Sequence, residues 1–278
     1  MIWVGLAIMI VTEAATLAGI EPFATWNTAI AWTGFIIFAD SIVYRVRGNS
    51  WLRSNPRELV FLALVSIPLW IVFEGYNLVI RNWYYTGLPE NFWVRQFGFA
   101  WAFATIWPAL FEAAELAAVA RSLRSRESRG SGRSGASGAA RGSTSTSRAI
   151  ISVAAGALML VSPFLVSPAV ARYMAAPVWL GFIFLLDPIN ARLGAERLTR
   201  DRVINLSLSG LLCGLLWELW NFWARAKWHY SVPIMENVKI FEMPLPGYLG
   251  FPAFALECFT MYAFVRRGVG LSGRPIAR

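Results

Sequence analysis

The sequence has few of the residues that build metal sites and disulfide frameworks. Cysteine occurs twice in 278 residues, as Cys213 and Cys258, and histidine occurs once, as His229. Both cysteines fall inside apolar stretches, so they indicate neither a disulfide framework nor a cysteine-based metal site. With no cysteine cluster near the single histidine, we expect no zinc, no haem and no other cofactor.

Charge and the motifs of soluble enzymes are also scarce. Charged residues make up 15% of the chain. The sequence contains no glycine-rich phosphate loop, and none of its serines stands in an elbow that differs from an ordinary membrane helix. The net charge of +9 is mostly arginine, but no soluble domain is present to offer these arginines to a nucleic acid. We therefore expect no nucleic-acid partner.

Apolar and aromatic residues are abundant instead. Hydrophobic residues make up 57% of the chain, with 14 Trp and 19 Phe. A helix needs about 20 mainly apolar residues to cross a bilayer, and this requirement predicts an all-α polytopic membrane protein with about eight transmembrane helices. The predicted spans are 2–20, 24–44, 59–80, 93–118, 149–167, 174–190, 203–224 and 245–266. Seven spans is the alternative, because Pro163 interrupts the fifth and Pro177 opens the sixth.

The arginines predict the orientation of these helices, since basic residues gather in loops on the cytoplasmic side. They cluster in "YRVRGNSWLRSNPRE", in the segment after Val119, in "NARLGAERLTRDR" and in the tail "VRRGVGLSGRPIAR". This distribution predicts a multi-pass protein of the inner membrane with both termini cytoplasmic and with membrane lipids as partners. We expect the first span to be retained rather than cleaved, because it carries Glu13 and no basic stretch precedes it.

Two halves of the chain resemble each other. Residues 121–148 are rich in Ser, Gly and Arg, and predict a flexible cytoplasmic linker between 1–120 and 149–278. On either side of it, "WTGFIIFADSIVYR" matches "WLGFIFLLDPINAR", and "FEGYNLVIRNWYY" matches "WELWNFWARAKWHY" with one inserted residue. Glu112 of "ALFEAAE" then falls on Glu257 of "FALECFT". These matches predict an internal duplication.

Each copy would hold four spans. Because four is even, both copies would run the same way through the membrane and would be related by a pseudo-twofold axis along the membrane normal. The fold we predict is therefore two parallel four-helix repeats, 1–120 and 149–278.

Acidic residues inside the predicted spans are the candidates for chemistry. An ionisable group in the hydrocarbon region normally faces the bundle interior and has a partner. Glu218 and Asn221 are three residues apart and share a helix face, as do Glu74 and Asn77, so we expect each Asn amide to donate a hydrogen bond to its Glu. Buried carboxyls of this kind suit an acid catalyst or a proton-coupled carrier. The candidate acids are Glu74, Glu218, Glu112 and Glu257.

The polar and aromatic residues of these spans also have purely structural interpretations. The Glu and Asn side chains are also explained if they only hold helices together. Asp40 and Asp187 lie near the inner ends of their helices, where a carboxylate reaches water or an Arg partner. Two matching Trp-x-Tyr pairs, Trp83 with Tyr85 and Trp228 with Tyr230, stand at the start of the loops on the outer side of the membrane. They are expected to form an aromatic belt at the headgroup level or to cap a cavity.

The stretch from Trp228 to Phe251 carries a family resemblance. "WHY" is followed by "MPLPGYLGF", which resembles the Trp-x-Tyr pair and the Pro-Leu-x-x-Tyr-Leu-x-Phe segment of the integral-membrane lycopene cyclases. Pro246 and Gly247 stand where that family has two glutamates. The resemblance implies an enzyme of carotenoid biosynthesis that protonates a polyene and steers its cyclisation.

The sequence thus leads to one principal hypothesis and two competing ones. The principal hypothesis is an enzyme that acts by acid catalysis on an isoprenoid or another lipophilic small molecule. Glu218 and Glu74 would donate protons or stabilise charge, Asn221 and Asn77 would orient them, and Glu257 and Glu112 would support them. The aromatic faces of Trp217, Trp220 and Trp223 would stabilise a carbocation. A proton- or cation-coupled transporter or lipid flippase, and a structural membrane subunit, are the alternatives.

Overall fold

The structure is a computed structural model that describes residues 1–129 and 146–271. Long apolar helices make up nearly all of it, as the hydrophobic stretches predict. Their bounds are α1 Ile2–Leu17, α2 Phe23–Arg47, α3 Trp51–Ser54, α4 Pro56–Ile80, α5 Phe92–Arg129, α6 Thr146–Leu165, α7 Pro168–Ala171, α8 Ala175–Arg192, α9 Arg200–Trp223 and α10 Gly250–Gly268, with a 3-10 helix at Leu245–Leu249 before α10.

Six helical segments of the described residues are long and apolar enough to cross a membrane. They contain α2, α4, α5, α6, α9 and α10, and the predicted class of all-α membrane protein is confirmed. The predicted first and sixth spans correspond to α1 and α8, which fall outside this set of six. Their 16 and 18 residues are about 24 and 27 Å long at 1.5 Å per residue, slightly short of the hydrocarbon thickness of about 30 Å.

The helix before the predicted linker is longer than the sequence suggests. Helix α5 continues through Arg129, past the predicted boundary at residue 120, and α6 begins at Thr146. Arg121 explains part of the extension, because its guanidinium binds the Asp201 carboxylate at 2.8 Å and the Asn205 amide oxygen at 2.7 Å. Most of the predicted linker, residues 130–145, lies outside the described residues.

Two helix pairs cross at very short distance through glycine. A Cβ atom at Gly5 of α1 would overlap the backbone of Gly34 and Phe38 in α2. A Cβ atom at Gly156 of α6 would likewise overlap the backbone of Gly181 and Leu185 in α8. Small residues at such crossings let helix backbones approach in membrane proteins. The pairs α1 with α2 and α6 with α8 are therefore packed in the same way.

A buried network of charges ties the helix ends on one side of the bundle. Arg266, near the end of α10, pairs with Glu58 at the start of α4 at 2.7 Å and also pairs with Glu196. Arg202 at the start of α9 pairs with the same Glu196. Arg266, Arg202 and Glu58 are each less than 10% exposed. The pair of Arg266 with Glu58 joins the second half of the chain to the first.

Short strands lie at the opposite end of these helices. The strands are β1 Trp83–Thr86 after α4, β2 Lys227–Tyr230 after α9, β3 Lys239–Ile240 and β4 Met243–Pro244. Strands β1 and β2 pair antiparallel, with Trp83 opposite Tyr230, Tyr84 opposite His229 and Tyr85 opposite Trp228. This ladder joins the first half of the chain to the second. It also carries the aromatic residues that line the candidate site.

Candidate functional site

The two Asn residues of the matched sequence segments anchor the strands. The Asn221 amide donates to the Trp228 carbonyl at 2.8 Å and accepts from the Trp228 N–H at 2.9 Å. Asn77 does the same with Trp83, at 2.8 and 3.2 Å. The predicted Asn-to-Glu hydrogen bonds are therefore replaced by bonds to the strand backbone. The physical reason is that the chain leaves each helix here, and the backbone of the strand residue that meets the Asn needs both a donor and an acceptor.

Glu74 accepts hydrogen bonds from three aromatic side chains. Its Oε1 atom receives the Trp70 indole N–H at 2.9 Å, the Trp83 indole N–H at 3.3 Å and the Tyr85 hydroxyl at 2.5 Å. Trp83 and Tyr85 come from β1, whereas Trp70 lies one helical turn before Glu74. This arrangement stabilises negative charge on the Glu74 carboxylate.

Glu218 is the counterpart of Glu74 in the second half. It is fully buried, and its Oε1 atom accepts a hydrogen bond from the Tyr230 hydroxyl at 2.9 Å. Tyr230 follows Trp228 in β2 as Tyr85 follows Trp83 in β1. Each half thus supplies one carboxyl group from a helix and one phenol from a strand, joined by a hydrogen bond.

Both phenols are held in their protonated form. Tyr85 and Tyr230 belong to the strands, and burial raises the pKa of each well above the usual value for tyrosine. The negative charge of the neighbouring glutamate raises it further. Each hydroxyl therefore keeps a proton that it donates to its glutamate.

The phenols line a large aromatic cavity between the two halves. Its volume is about 460 Å³, within the range of small-molecule sites. Trp32 of α2 and Trp179 of α8, which are paired in the internal sequence match, both face it, and Phe254 of α10 forms part of its wall. Among the described residues, none of the lining side chains is a carboxylate. The lining aromatic residues are Trp26, Trp32, Trp70, Trp83, Tyr85, Phe99, Phe103, Tyr173, Trp179, Trp217, Trp228, Tyr230, Phe251 and Phe254.

The carboxyl groups therefore stand behind the cavity wall. Glu74 and Glu218 connect to the cavity through Tyr85 and Tyr230, which line it and whose hydroxyls are hydrogen-bonded to the two glutamates. A molecule in the cavity would meet phenol and indole groups first. The acids can act on it only through these groups or after a side-chain movement.

The three tryptophans predicted to stabilise a carbocation are placed differently from one another. Trp217 lines the cavity. Trp220 is buried against Trp32, with ring centroids 4.7 Å apart and planes at 89°. Trp223 is 47% exposed on the outside of the bundle. Residues three apart on a helix are offset by about 60° at 3.6 residues per turn, so Trp223 is turned about 120° away from Trp217, and of the three only Trp217 lines the cavity.

Glu112 and Glu257 lie deeper in the bundle. Both are fully buried. A carboxylate oxygen of Glu257 accepts a hydrogen bond from the backbone N–H of Phe182 in α8 at 3.2 Å. That contact joins α10 to α8, so Glu257 is placed as a link between helices, away from the cavity wall.

Asp40 and Asp187 bind the loops that follow their helices. Asp40 accepts a hydrogen bond from the Leu52 N–H at 2.8 Å, and Asp187 accepts one from the Leu198 N–H at 2.8 Å. Asp187 also pairs with the Arg197 guanidinium at 3.4 Å. These contacts favour the structural interpretation of both aspartates.

Trp70 is a site residue that sequence reasoning missed. It lies four residues before Glu74, on the same helix face, and this spacing is the signal by which it could have been found. Its ring contacts Trp83, Trp217 and Phe254, with centroids 5.7 to 6.1 Å apart. Trp70 thus connects the Glu74 carboxylate to aromatic residues of the second half.

The chain was compared with protein-family models, curated proteins and solved structures, and it matches none of them.

Proposed function

We propose that this chain is a membrane enzyme that binds a lipophilic isoprenoid-type molecule in the aromatic cavity and transforms it by acid catalysis. The observation that carries the proposal is the pair of phenol–carboxyl hydrogen bonds, Tyr85 to Glu74 and Tyr230 to Glu218, whose phenols face one apolar cavity. A carboxyl behind a phenol can deliver a proton into a dry site without itself entering it.

The second half would deliver the proton. In the forward step, protonation of Glu218 reverses its hydrogen bond with Tyr230, so that the Tyr230 hydroxyl gives its proton to one carbon of a C=C bond while Glu218 returns a proton to the phenol oxygen. The C=C π bond breaks, a C–H bond forms, and a carbocation and the Glu218 carboxylate result. The faces of Trp217, Trp228 and Trp32 lie around the cavity and stabilise the cation.

The first half would accept the proton. Loss of a proton from a carbon next to the cation forms a new C=C bond, and the proton passes through Tyr85 to Glu74. Three hydrogen-bond donors hold the Glu74 side chain beside Tyr85 for that step. Loss of the proton from Glu74 and uptake of a proton by Glu218 restore the starting state. The overall change is an isomerisation or cyclisation that consumes no oxidant, and it gives the two matched glutamates different roles.

The arrangement of the chain in the membrane belongs to the same proposal. Eight spans, with α1 and α8 included, would form two parallel repeats about the axis that passes between Tyr84 and His229. The matched glycine crossings, the matched Asn anchors and the register of β1 with β2 support this interpretation. Both termini would lie on the cytoplasmic side of the inner membrane, where the arginine-rich loops are.

A lycopene-accumulating bacterial host offers a direct test of the enzyme. The host expresses the wild-type chain, Glu218→Gln or Tyr230→Phe, and its pigments and total lipids are separated and identified by mass spectrometry. Glu236→Gln is the matched control, since Glu236 is exposed and outside the cavity lining. A new isoprenoid product with the wild type and the control, and none with the two site variants, is expected.

The other hypotheses predict different results. Site variants that are stable in the membrane and yield the same products as the wild type would show that the pairs are structural. A wild type that changes no lipid, and that moves protons or ions across vesicles in a Glu218-dependent way, would support a transporter. Cyclic carotenoids among the products would identify lycopene as a substrate and support the resemblance to lycopene cyclases.

A further inference from the structure

The aromatic cavity has two cationic residues at its wall. Arg95 in the first turn of α5 and Lys227 at the start of β2 are the charged residues that line it within the described part of the chain. Every other polar contribution to the lining comes from neutral groups. A cation beside an apolar cavity indicates that the ligand carries a complementary group.

Both cations lie at the same end of the strand ladder. Lys227 stands opposite Thr86, the last residue of β1. The chain then turns at Gly87, which has a φ of 63° and is so close to the Arg225 carbonyl that a Cβ atom would overlap it. Two residues later the Pro89 carbonyl accepts a hydrogen bond from the Arg95 guanidinium at 3.3 Å. The loop after β1 therefore brings Arg95 to the Lys227 end of the cavity.

Of the two, Arg95 is the cation whose charge is not matched. The Lys227 ammonium lies 3.7 Å from Glu242 and donates to the Phe222 carbonyl at 3.0 Å. Arg95 is half-buried, and among the described residues no carboxylate lies within 4 Å of its guanidinium. A guanidinium presents a planar set of donors that fits a carboxylate or phosphate in two-point contact.

One face of α5 leads from Arg95 into the cavity. The lining residues Arg95, Phe99, Ala102, Phe103 and Ile106 recur at helical spacing, so they form a single stripe. Eleven residues separate the ends of this stripe, which is about 16 Å at 1.5 Å per residue. The Tyr85 ring packs on Phe99, with centroids 5.2 Å apart. The phenol–carboxyl pair of the first half is thus about one helical turn beyond Arg95.

We infer that the ligand is an amphiphile with an anionic head group, a carboxylate or a phosphate, which binds at Arg95 while its apolar chain lies along α5 toward Tyr85 and Tyr230. The inference rests on the proposed function and narrows its substrate class. The head group fixes the register of the chain, and so decides which C=C bond stands beside the phenols.

Three ligands that share one hydrocarbon tail and differ in their head group separate the contribution of the head group to binding from that of the tail. Geranylgeranyl monophosphate, geranylgeranoic acid and geranylgeraniol are titrated into the purified full-length protein, and binding is followed by quenching of tryptophan fluorescence from the cavity wall. We expect at least one of the acids to bind about tenfold more tightly than the alcohol, because charge-assisted bonds exceed neutral ones. The more tightly bound acid distinguishes a phosphate from a carboxylate head group.

Variants of Arg95 test whether the preference for acids over the alcohol depends on the charge of this residue. Arg95→Gln should remove the preference for acids over the alcohol, whereas Arg95→Lys should retain part of that preference. Arg81→Gln is the matched control, because Arg81 is exposed and outside the cavity lining. Ala102→Trp should weaken all three ligands, since its side chain would occupy the cavity beside Phe103.

The outcomes separate this inference from the proposed function. Equal binding of the three ligands by the wild type, or an acid preference that survives in Arg95→Gln, would overturn the head-group inference and leave the lipophilic cavity intact. If none of the three binds to the folded wild type, the cavity is not an isoprenoid site and the proposed function fails with the inference.

Discussion

Tyr230 donates a hydrogen bond to Glu218 at 2.9 Å, and Tyr85 donates one to Glu74 at 2.5 Å. The two contacts join equivalent residues of the matched sequences, but their surroundings differ. Glu218 is fully buried, whereas Glu74 is partly exposed and also accepts from two indoles. Equivalent sequence positions have therefore acquired different environments.

Removing each phenol hydroxyl tests this difference. Tyr230→Phe takes a hydrogen bond from a fully buried carboxyl and should lower the free energy of unfolding by about 1–3 kcal/mol. Tyr85→Phe should cost less, about 1 kcal/mol or below, because Trp70 and Trp83 still donate to Glu74. Thermal unfolding in detergent measures both. A larger loss for Tyr85→Phe than for Tyr230→Phe would contradict the assigned environments.

The Asn anchors predict a local loosening of the ladder. Asn221→Ala removes the donor and the acceptor that hold the Trp228 backbone, and should cost about 1–3 kcal/mol. Hydrogen exchange of the β1 and β2 amides should accelerate more than exchange in α9. Asn237→Ala serves as the control, since Asn237 is exposed. Unchanged exchange at the ladder in Asn221→Ala would show that the anchor is dispensable.

The glycine crossings predict an order of severity. Gly5→Ala and Gly156→Ala place a methyl group against helix backbone and should destabilise the protein by about 1–3 kcal/mol. Gly34→Ala and Gly181→Ala should cost less, because the nearest atoms belong to the side chains of Ile8 and Leu160, which can move.

Gly75→Ala is the control for this series. Nothing lies within 4 Å of a Cβ atom at Gly75, so the change should be neutral or slightly stabilising. Unfolding temperatures of the five variants give the order. If Gly34→Ala were more damaging than Gly5→Ala, the crossing of α1 and α2 would differ from the one described.

The buried charge network predicts a large loss for a single change. Arg266→Ala leaves Glu58 and Glu196 without the cation that both contact, and should cost about 3–5 kcal/mol. Arg57→Ala removes an exposed arginine next to Glu58 and should change the unfolding temperature little. Similar unfolding temperatures for the two variants would mean that the network adds no stability.

The helices were largely predictable and the strands were not. Apolar runs of sufficient length predict a membrane helix, and the predicted spans 24–44 and 59–80 match α2 and α4 closely. Strands β1 and β2 contain four residues each and exist through pairing between residues about 145 positions apart, as for Trp83 and Tyr230. No local sequence pattern predicts a pairing between residues so far apart in the chain.

Four residues that the sequence singled out meet in the structure, but the contacts that they and their neighbours make could not be predicted. The matched sequences single out Glu74, Glu218, Tyr85 and Tyr230, which do form the two hydrogen-bonded pairs. The partner of each Asn could not be inferred, because Glu218 and the Trp228 backbone compete for the same amide and only the path of the strand decides between them. Trp220 and Trp223 illustrate the same limit, since burial on a helix depends on neighbours that sequence spacing does not identify.

The ladder of β1 and β2 bears on how the halves assemble. All of its hydrogen bonds join the first half to the second, and each strand meets its partner along one edge. If the first half were produced alone, β1 would present that edge unpaired, and an unpaired edge recruits another strand. The partner at hand would be β1 of an identical molecule, with Tyr84 facing Tyr84. We therefore expect a single half to form a symmetric homodimer through β1, and two halves supplied as separate polypeptides to associate through the ladder of β1 and β2.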